Sequence, residues 1–255
     1  MTKIIAVANQ KGGVGKTTTT VNLAYGLARA GKTVLAIDLD PQASLTISMG
    51  QDPRALEASE KTISYSLMDG NPLRGLIIDG SPAMIPSSIR LSKADMAMGR
   101  SYTPATILKK QLSPLVALYD YILIDCPPNL SLLTINGLTA ADAVLVPVKT
   151  DYLSIMGVDL LLETVQQLRD EANPELEVLG CVPTMFKKRN NIDQEAHDAM
   201  VQMFDGIAPV FEPIRQSTHF DKSHVEGRAA LSFGSKDSGA ETYQDIANYI
   251  IHHYG

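Results

Sequence analysis

The sequence predicts an α/β fold, a mostly parallel twisted sheet with helices on both faces, and three observations carry that expectation. Strand-length apolar runs alternate with stretches of helical periodicity, the order that builds parallel crossover units. The strand runs are continuously apolar, as strands covered on both faces must be. A glycine-rich loop joins the first run directly to the first helix.

Taken in order, Lys3 to Ala8 is the first strand and opens into that loop. Thr17 to Ala30 reads as a helix, with Val21, Leu23, Ala24, Leu27 and Ala28 as its apolar face and Gly31 as its stop. Thr33 to Ile37, Tyr121 to Ile124, Ala143 to Val148 and Val178 to Val182 are four further strands. Helical spacing marks Leu130–Ala140, Ile155–Glu171, Ile192–Phe204 and the closing Ala240–His253. Between Gly50 and Ser113 the apolar patches are short and Gly and Pro are scattered, so small strands and helices around the core are expected there. There is no internal repeat and no low-complexity tract.

At 255 residues the chain suffices for one large domain, expected to run over 1–255. It is 45% hydrophobic with no tryptophan, which fits an aliphatic core. No apolar run approaches the ~20 residues that span a bilayer, and Met1 to Ala8 lacks the layout of a signal peptide. Cys126 and Cys181 lie far apart, each in an apolar stretch, and read as buried free thiols of a cytoplasmic protein. A net charge of −6 argues against a protein coated in positive charge but leaves room for a basic patch on one face.

The decisive segment is Lys11-Gly12-Gly13-Val14-Gly15-Lys16-Thr17-Thr18. Following a strand and opening a helix, it stands where a phosphate loop must stand. Glycines let backbone N–H groups turn inward on phosphates, and the helix N-terminus adds its partial positive charge. Lys16 would reach the β- and γ-phosphates, and the Thr17 hydroxyl would hold Mg²⁺. Asp38 and Asp40 end the second strand in Ile37-Asp38-Leu39-Asp40-Pro41-Gln42. Carboxylates two apart at a strand's carboxyl end are expected to face the crevice where such sheets bind ligands. Asp125 closes the strand Tyr121 to Ile124 in the manner of a Walker B aspartate, with a stiff Pro127-Pro128 behind it.

The loop departs from G-x-x-x-x-G-K-[ST] at its first position, Gln10, and carries a second lysine, Lys11. In this it resembles the ParA/MinD family of deviant Walker ATPases. The resemblance runs nearly end to end, through Asp38-Leu39-Asp40-Pro41-Gln42, Asp125-Cys126-Pro127-Pro128, Pro147-Val148-Lys149 and the late Gly227, Gly239-Ala240 and Tyr243. It implies that Lys11 reaches across a homodimer interface to the partner's phosphates, with ATP sandwiched between subunits and Gly12 kept small by their approach. It implies that Asp38 lies near the Mg²⁺ shell, that Asp125 contacts the ion through water and that Asp40 orients the attacking water. ATP as the nucleotide follows from the resemblance together with the absence of an Asn-Lys-x-Asp guanine element. Adenine would be held by loops mapped onto Pro183–Phe186 and Glu212–Gln216, with Arg215 beside the nucleotide.

The family's DNA-binding members use a dispersed basic surface formed on the ATP dimer. Candidates here are Lys187-Lys188-Arg189, Arg215, Lys222 and Arg228. Where many relatives carry further basic residues this chain has Gln216 and His219, a departure that bears on DNA affinity. Contacts of this kind rest on phosphates, so they should be non-specific and salt-sensitive. With the first strand starting at Lys3, no N-terminal helix-turn-helix is expected. The resemblance thus implies a slow ATPase on the nucleoid, stimulated by a ParB-like partner, that partitions a plasmid, a chromosome or a protein assembly. The alternative is membrane cycling in the manner of MinD, whose tail is a basic amphipathic helix; here the tail from Tyr243 to Gly255 has no lysine or arginine. A third reading is a metabolic enzyme, such as a synthetase that phosphorylates a carboxylate. Nitrogenase-type iron proteins need cluster-ligating cysteines that two isolated thiols do not suggest.

Overall fold

The computed structural model of the chain describes residues 1–234 and 239–255. Its strands are β1 (Lys3–Val7), β2 (Val34–Asp38), β3 (Ala83–Ile85), β4 (Tyr121–Asp125), β5 (Ala143–Lys149) and β6 (Glu177–Thr184). They form one sheet in the order β3-β2-β4-β1-β5-β6, every pair parallel. Five of them, β1, β2, β4, β5 and β6, are the expected strands; β3 is a sixth, drawn from the stretch whose short apolar patches left its elements open. At three residues and in an edge position, β3 is too short for a periodic signal of its own.

The crossovers begin with α1 (Lys16–Arg29), α2 (Ser44–Ser48), α3 (Pro53–Ala58) and α4 (Ser64–Leu67). After β3 come α5 (Ala94–Met98) and α6 (Ile107–Leu112), then α7 (Leu132–Ala140) after β4. The expected helix from Ile155 to Glu171 is two helices, α8 (Tyr152–Met156) and α9 (Val158–Glu171), parted at Gly157. Asp151 caps α8, its side chain accepting from Ser154 N, and glycine at the junction weakens continuation. Beyond β6 follow α10 (Asn191–Met203), α11 (Thr218–Glu226) and α12 (Glu241–Tyr254).

Two apolar layers hold the sheet. On one face Leu133, Leu138, Leu161, Val165, Met200 and Phe204 cover Ile37, Ile122, Ile124 and Val146. On the other, Leu23, Leu27, Tyr243, Ile246 and Ile250 cover Ile5, Leu35's neighbours Val34 and Ala36, Leu123 and Leu145. The second layer includes α12, whose Gln244 Nε2 donates to the Gly26 carbonyl of α1 at 3.2 Å. Tyr243 Oη and Thr19 Oγ1 stand 3.1 Å apart inside that layer. At the far end Tyr254 Oη donates to Glu177 and its ring takes the Lys3 ammonium at 4.6 Å. The closing helix is therefore built into the core.

The connection from β1 runs toward one edge, to β2 beyond β4, and that from its neighbour β5 runs toward the other, to β6, so a crevice opens at the carboxyl ends of the strands there. The glycine-rich loop occupies that point.

Candidate functional site

Residues 8–15 turn from β1 into α1 with Gly13 at φ +72° and Gly15 at φ +88°, a left-handed backbone that glycine adopts without strain. The turn is braced from neighbouring strands. Asn9 Nδ2 donates to the Pro147 carbonyl at 2.8 Å and Asn9 Oδ1 accepts from Lys11 N at 3.0 Å. Thr184 Oγ1, at the end of β6, donates to the Val14 carbonyl at 2.8 Å. Lys16 is buried, its Nζ 3.0 Å from the Lys11 carbonyl. Burial holds the Lys16 ammonium below the ordinary lysine range, with Asp125 and Asp40 pulling the other way.

Asp38 and Asp125 are register partners on β2 and β4 and are almost wholly enclosed. Burial pushes Asp38 up to about 7. Burial, then the neighbouring Asp38 charge, pushes Asp125 up to about 8. Asp125 Oδ2 accepts from Thr17 Oγ1 at 2.7 Å, and Asp125 Oδ1 lies 3.2 Å from Thr20 Oγ1. Asp38 differs from the expectation that both β2 carboxylates face the crevice. Its oxygens are turned into α2, accepting from Thr46 N at 2.8 Å, Thr46 Oγ1 at 2.7 Å and Asp40 N at 3.0 Å. The reason is local: β2 ends at Asp38, so Asp40 lies beyond the strand and its alternation, and the chain turns there to lay Thr46 of α2 against Asp38. Asp40 does line the crevice.

A pair of enclosed acids beside Thr17 fits a divalent cation, which would replace the missing positive charge and make both carboxylates stable as anions. No group of three or more His, Cys, Asp and Glu side chains placed to hold a metal ion occurs among the described residues.

Lys11 lies outside its own phosphate crevice. Its Nζ donates to Asp151 Oδ1 and Ser154 Oγ, both at 2.9 Å, at the start of α8. Lys149 Nζ stands 3.0 Å from the other Asp151 oxygen. Burial raises the Asp151 carboxyl, but the hydrogen bonds from Lys11, Ser154 and Lys149 outweigh it and hold that carboxyl well below the usual range.

Two joined clefts run from the loop. The first, about 310 Å³, is lined by Gly12, Gly13, Gly15, Lys16, Thr17, Thr18, Asp40 and Pro128. The second, about 670 Å³, continues past Thr184 and Met185 to Lys187, Ile214, Arg215, Gln216 and Tyr243. The two late loops mapped for adenine meet in its wall. Phe186 N donates to Ile214 O at 3.0 Å, Ile214 N to Pro183 O at 2.8 Å and Gln216 N to Phe186 O at 3.1 Å. The size is that of a small-molecule site, and the arrangement offers an anion cradle at one end and an apolar-walled slot at the other.

The basic candidates divide. Lys187, Lys188 and Arg189 are exposed on the turn after β6, and Arg215 pairs with Phe186 beside them. Lys222 and Arg228 instead share one carboxylate, Glu226, at 3.6 and 2.7 Å, and both lie over the Phe233 ring. The structure thus places Lys187 and Arg215 on the cleft wall, with Lys188 and Arg189 next to Lys187 in the chain, and ties the other two to one shared carboxylate. His219 packs its ring against Phe233, with centroids 6.4 Å apart. Both thiols are free and buried, and burial pushes Cys181 up to about 12. No helix among the described residues is long and apolar enough to cross a membrane.

Sequence reasoning missed Asp151, Ser154, Thr46, Thr184 and His224. Asp151 followed at the third position by Ser154 is a helix-cap signal, but its pairing with Lys11 has no local signature.

The sequence model of a family described as an AAA domain matches residues 2–178. The chain is 35% identical to the sporulation initiation inhibitor protein Soj of Bacillus subtilis, over 98% of each. It is 33% identical to the chromosome partitioning protein ParA of Caulobacter vibrioides, over 98% of this chain and 94% of that one. Among solved structures it resembles cobyrinic acid a,c-diamide synthase from Mycobacterium smegmatis with a bound ATP analog and magnesium. That likeness has a TM-score of 0.88 at 32% identity, covering 100% of this chain and 96% of the other.

Proposed function

The chain belongs to the ParA/MinD family of P-loop ATPases, and from that premise we propose that it is a DNA-surface positioning switch. ATP drives two copies together across the nucleotide, the dimer sits non-specifically on DNA, and hydrolysis releases it. The observation that carries this reading is the placement of Lys11. A second lysine in the phosphate loop that turns away from its own crevice, to Asp151 and Ser154, is free of any duty toward its own phosphates. A lysine on the rim suits a nucleotide held by a second copy.

In this reading the cradle from Gly12 to Thr18 and the buried Lys16 grip the phosphates, while Thr17 and Asp125 hold Mg²⁺ and Asp38 supports them from behind. The ion neutralises charge on the phosphate oxygens. Asp40, on the crevice wall, orients water, and with a single carboxylate for that task turnover is slow until a partner protein of the ParB kind orders the loops. Lys187, Lys188, Arg189 and Arg215 form the DNA-facing rim, which a dimer doubles. The MinD-like membrane reading is disfavoured by α12, which lacks lysine and arginine and packs Tyr243, Ile246, Ala247 and Ile250 into the core.

The test is binding to a random-sequence duplex with ATP, with ADP and without nucleotide, at low and moderate salt. The switch predicts salt-sensitive binding with ATP alone. Pelleting with anionic lipid vesicles and no binding to the duplex would establish membrane cycling instead. Turnover raised only by a small carboxylate would point to a synthetase, like the one whose structure the chain resembles.

A further inference from the structure

Gly15, Thr18, Met185 and His224 are the residues shared by the phosphate cleft and the larger slot, and His224 alone among them carries an ionisable ring. It belongs to α11, a helix otherwise on the outer side of the slot. Its Nδ1 stands 2.7 Å from Ser48 Oγ. Ser48 is buried at the last residue of α2. With Nδ1 committed to Ser48, Nε2 is the ring nitrogen left for a ligand lying between the two clefts.

The helix on the other side of that bond is the one that follows the hydrolytic loop. Ala43 N, just ahead of α2, donates to Asp40 O at 2.9 Å, and Thr46 in its middle holds Asp38 through two hydrogen bonds. A second contact locks the same junction. A Cβ placed on Gly227, just after α11, would stand 2.6 Å from the Gly50 Cα just after α2, so the two backbones touch where only glycine fits. Helices α2 and α11 are therefore joined at two points, with the Asp40 turn ahead of one and the slot beside the other.

We propose that His224 is a nucleotide-contacting positioning residue. Its Nε2 meets the nucleotide where the sugar joins the phosphates, and its Nδ1 passes that contact through Ser48 to the Asp38–Asp40 loop. The inference rests on the ATPase reading of the crevice. It adds that the occupant of the slot, and not the phosphates alone, sets the geometry of Asp40.

The experiment measures nucleotide affinity and single-turnover hydrolysis separately, on the full chain and four variants. His224→Ala removes both nitrogens: turnover falls roughly tenfold, as for a modest misplacement of a reacting group, and ADP binds more weakly. His224→Asn keeps a polar atom near the Nδ1 position but none at Nε2: ADP still binds weakly, and turnover at saturating ATP stays as low as in His224→Ala, because no nucleotide contact is left to pass on. Ser48→Ala lowers turnover and leaves ADP affinity unchanged. The double variant His224→Ala/Ser48→Ala hydrolyses no more slowly than His224→Ala alone, because both changes cut one path.

Unchanged turnover in His224→Ala overturns the proposal. So do independent, multiplying losses in the double variant, or a loss that merely follows a lowered melting temperature in every variant. Turnover by the parent chain tests the ATPase reading by itself, so failure of that reading and failure of the His224 path are told apart.

Discussion

Lys11 and Asp151 lie 140 positions apart in sequence and meet at 2.9 Å, a contact that stores the loop's second lysine on α8. The pair is about a third exposed on each side, so it is a latch of modest strength, about 0.2–1 kcal/mol by analogy with surface pairs. Asp151→Asn keeps the capping oxygen and removes the charge. ATP-dependent self-association should tighten by up to about fivefold, the equivalent of the upper end of that energy, and sedimentation velocity with a slowly hydrolysed ATP analogue measures it. Lys11→Ala should abolish that association, and a dimer that persists would remove the cross-subunit role.

Acid should open the same latch only far below neutrality. The folded Asp151 carboxyl is held below its ordinary value, so its contribution is complete above the unfolded value of about 3.9. It is lost only as pH falls further, through the depressed folded value. Between pH 8 and 5 the latch therefore stays closed. An NMR titration of the Asp151 carboxyl carbon should be flat over that range, and a midpoint above pH 5 would contradict the assignment.

Thr46→Val tests the support beneath Asp38. The substitution keeps the shape of the side chain but removes the 2.7 Å donor to Asp38 Oδ2 and the acceptor for Ser87 N at 2.9 Å. Two buried polar groups lose a partner at once, for a cost of about 1–3 kcal/mol each. Thermal melting should show a clear fall, at about 2–4 °C for each kcal/mol lost.

Gly12 has a different sort of constraint. Within the chain a Cβ there would meet only Pro128 Cβ at 3.9 Å, ordinary contact, and its backbone is not left-handed. Gly12→Val should therefore fold and bind ADP like the parent, judged by melting and by calorimetry, while losing ATP-dependent association. A loss of ADP binding would mean that the glycine serves its own crevice.

Asp40→Ala should retain ATP binding and lose hydrolysis by roughly 10²-fold, the scale of one proton-handling group. Its residue lines the crevice, and its Oδ1 accepts from Gln42 N at 2.9 Å, a local turn contact. Unchanged turnover would place the water elsewhere.

Much of this architecture was legible along the chain because its causes are local. Continuous apolar runs had to be buried strands, and the loop's glycines and Lys16 had to stand between a strand and a helix. What escaped were relationships made by the fold. Asp38 and Asp40 look equivalent in sequence, yet the turn at Asp40 sends one into α2 and the other to the crevice. Six basic residues looked like one surface, yet Glu226 takes two of them. The break at Gly157 was hidden because the apolar spacing runs through it. His224 sits beside Ser48 only because α2 and α11 meet, 176 residues apart in sequence.

The braces from Asn9 to Pro147 and from Thr184 to Val14 have a kinetic meaning. A cradle fixed by two other strands is already shaped before its ligand arrives, so little ordering entropy opposes capture. ADP and ATP then find the same grip, and the cradle itself is a poor judge between them. In the proposed dimer, discrimination would fall to whatever reads the space past the β-phosphate: Asp40 and Pro128, which line the cleft, and a lysine from the second copy. A dimer of that kind would tell its two states apart by company rather than by fit.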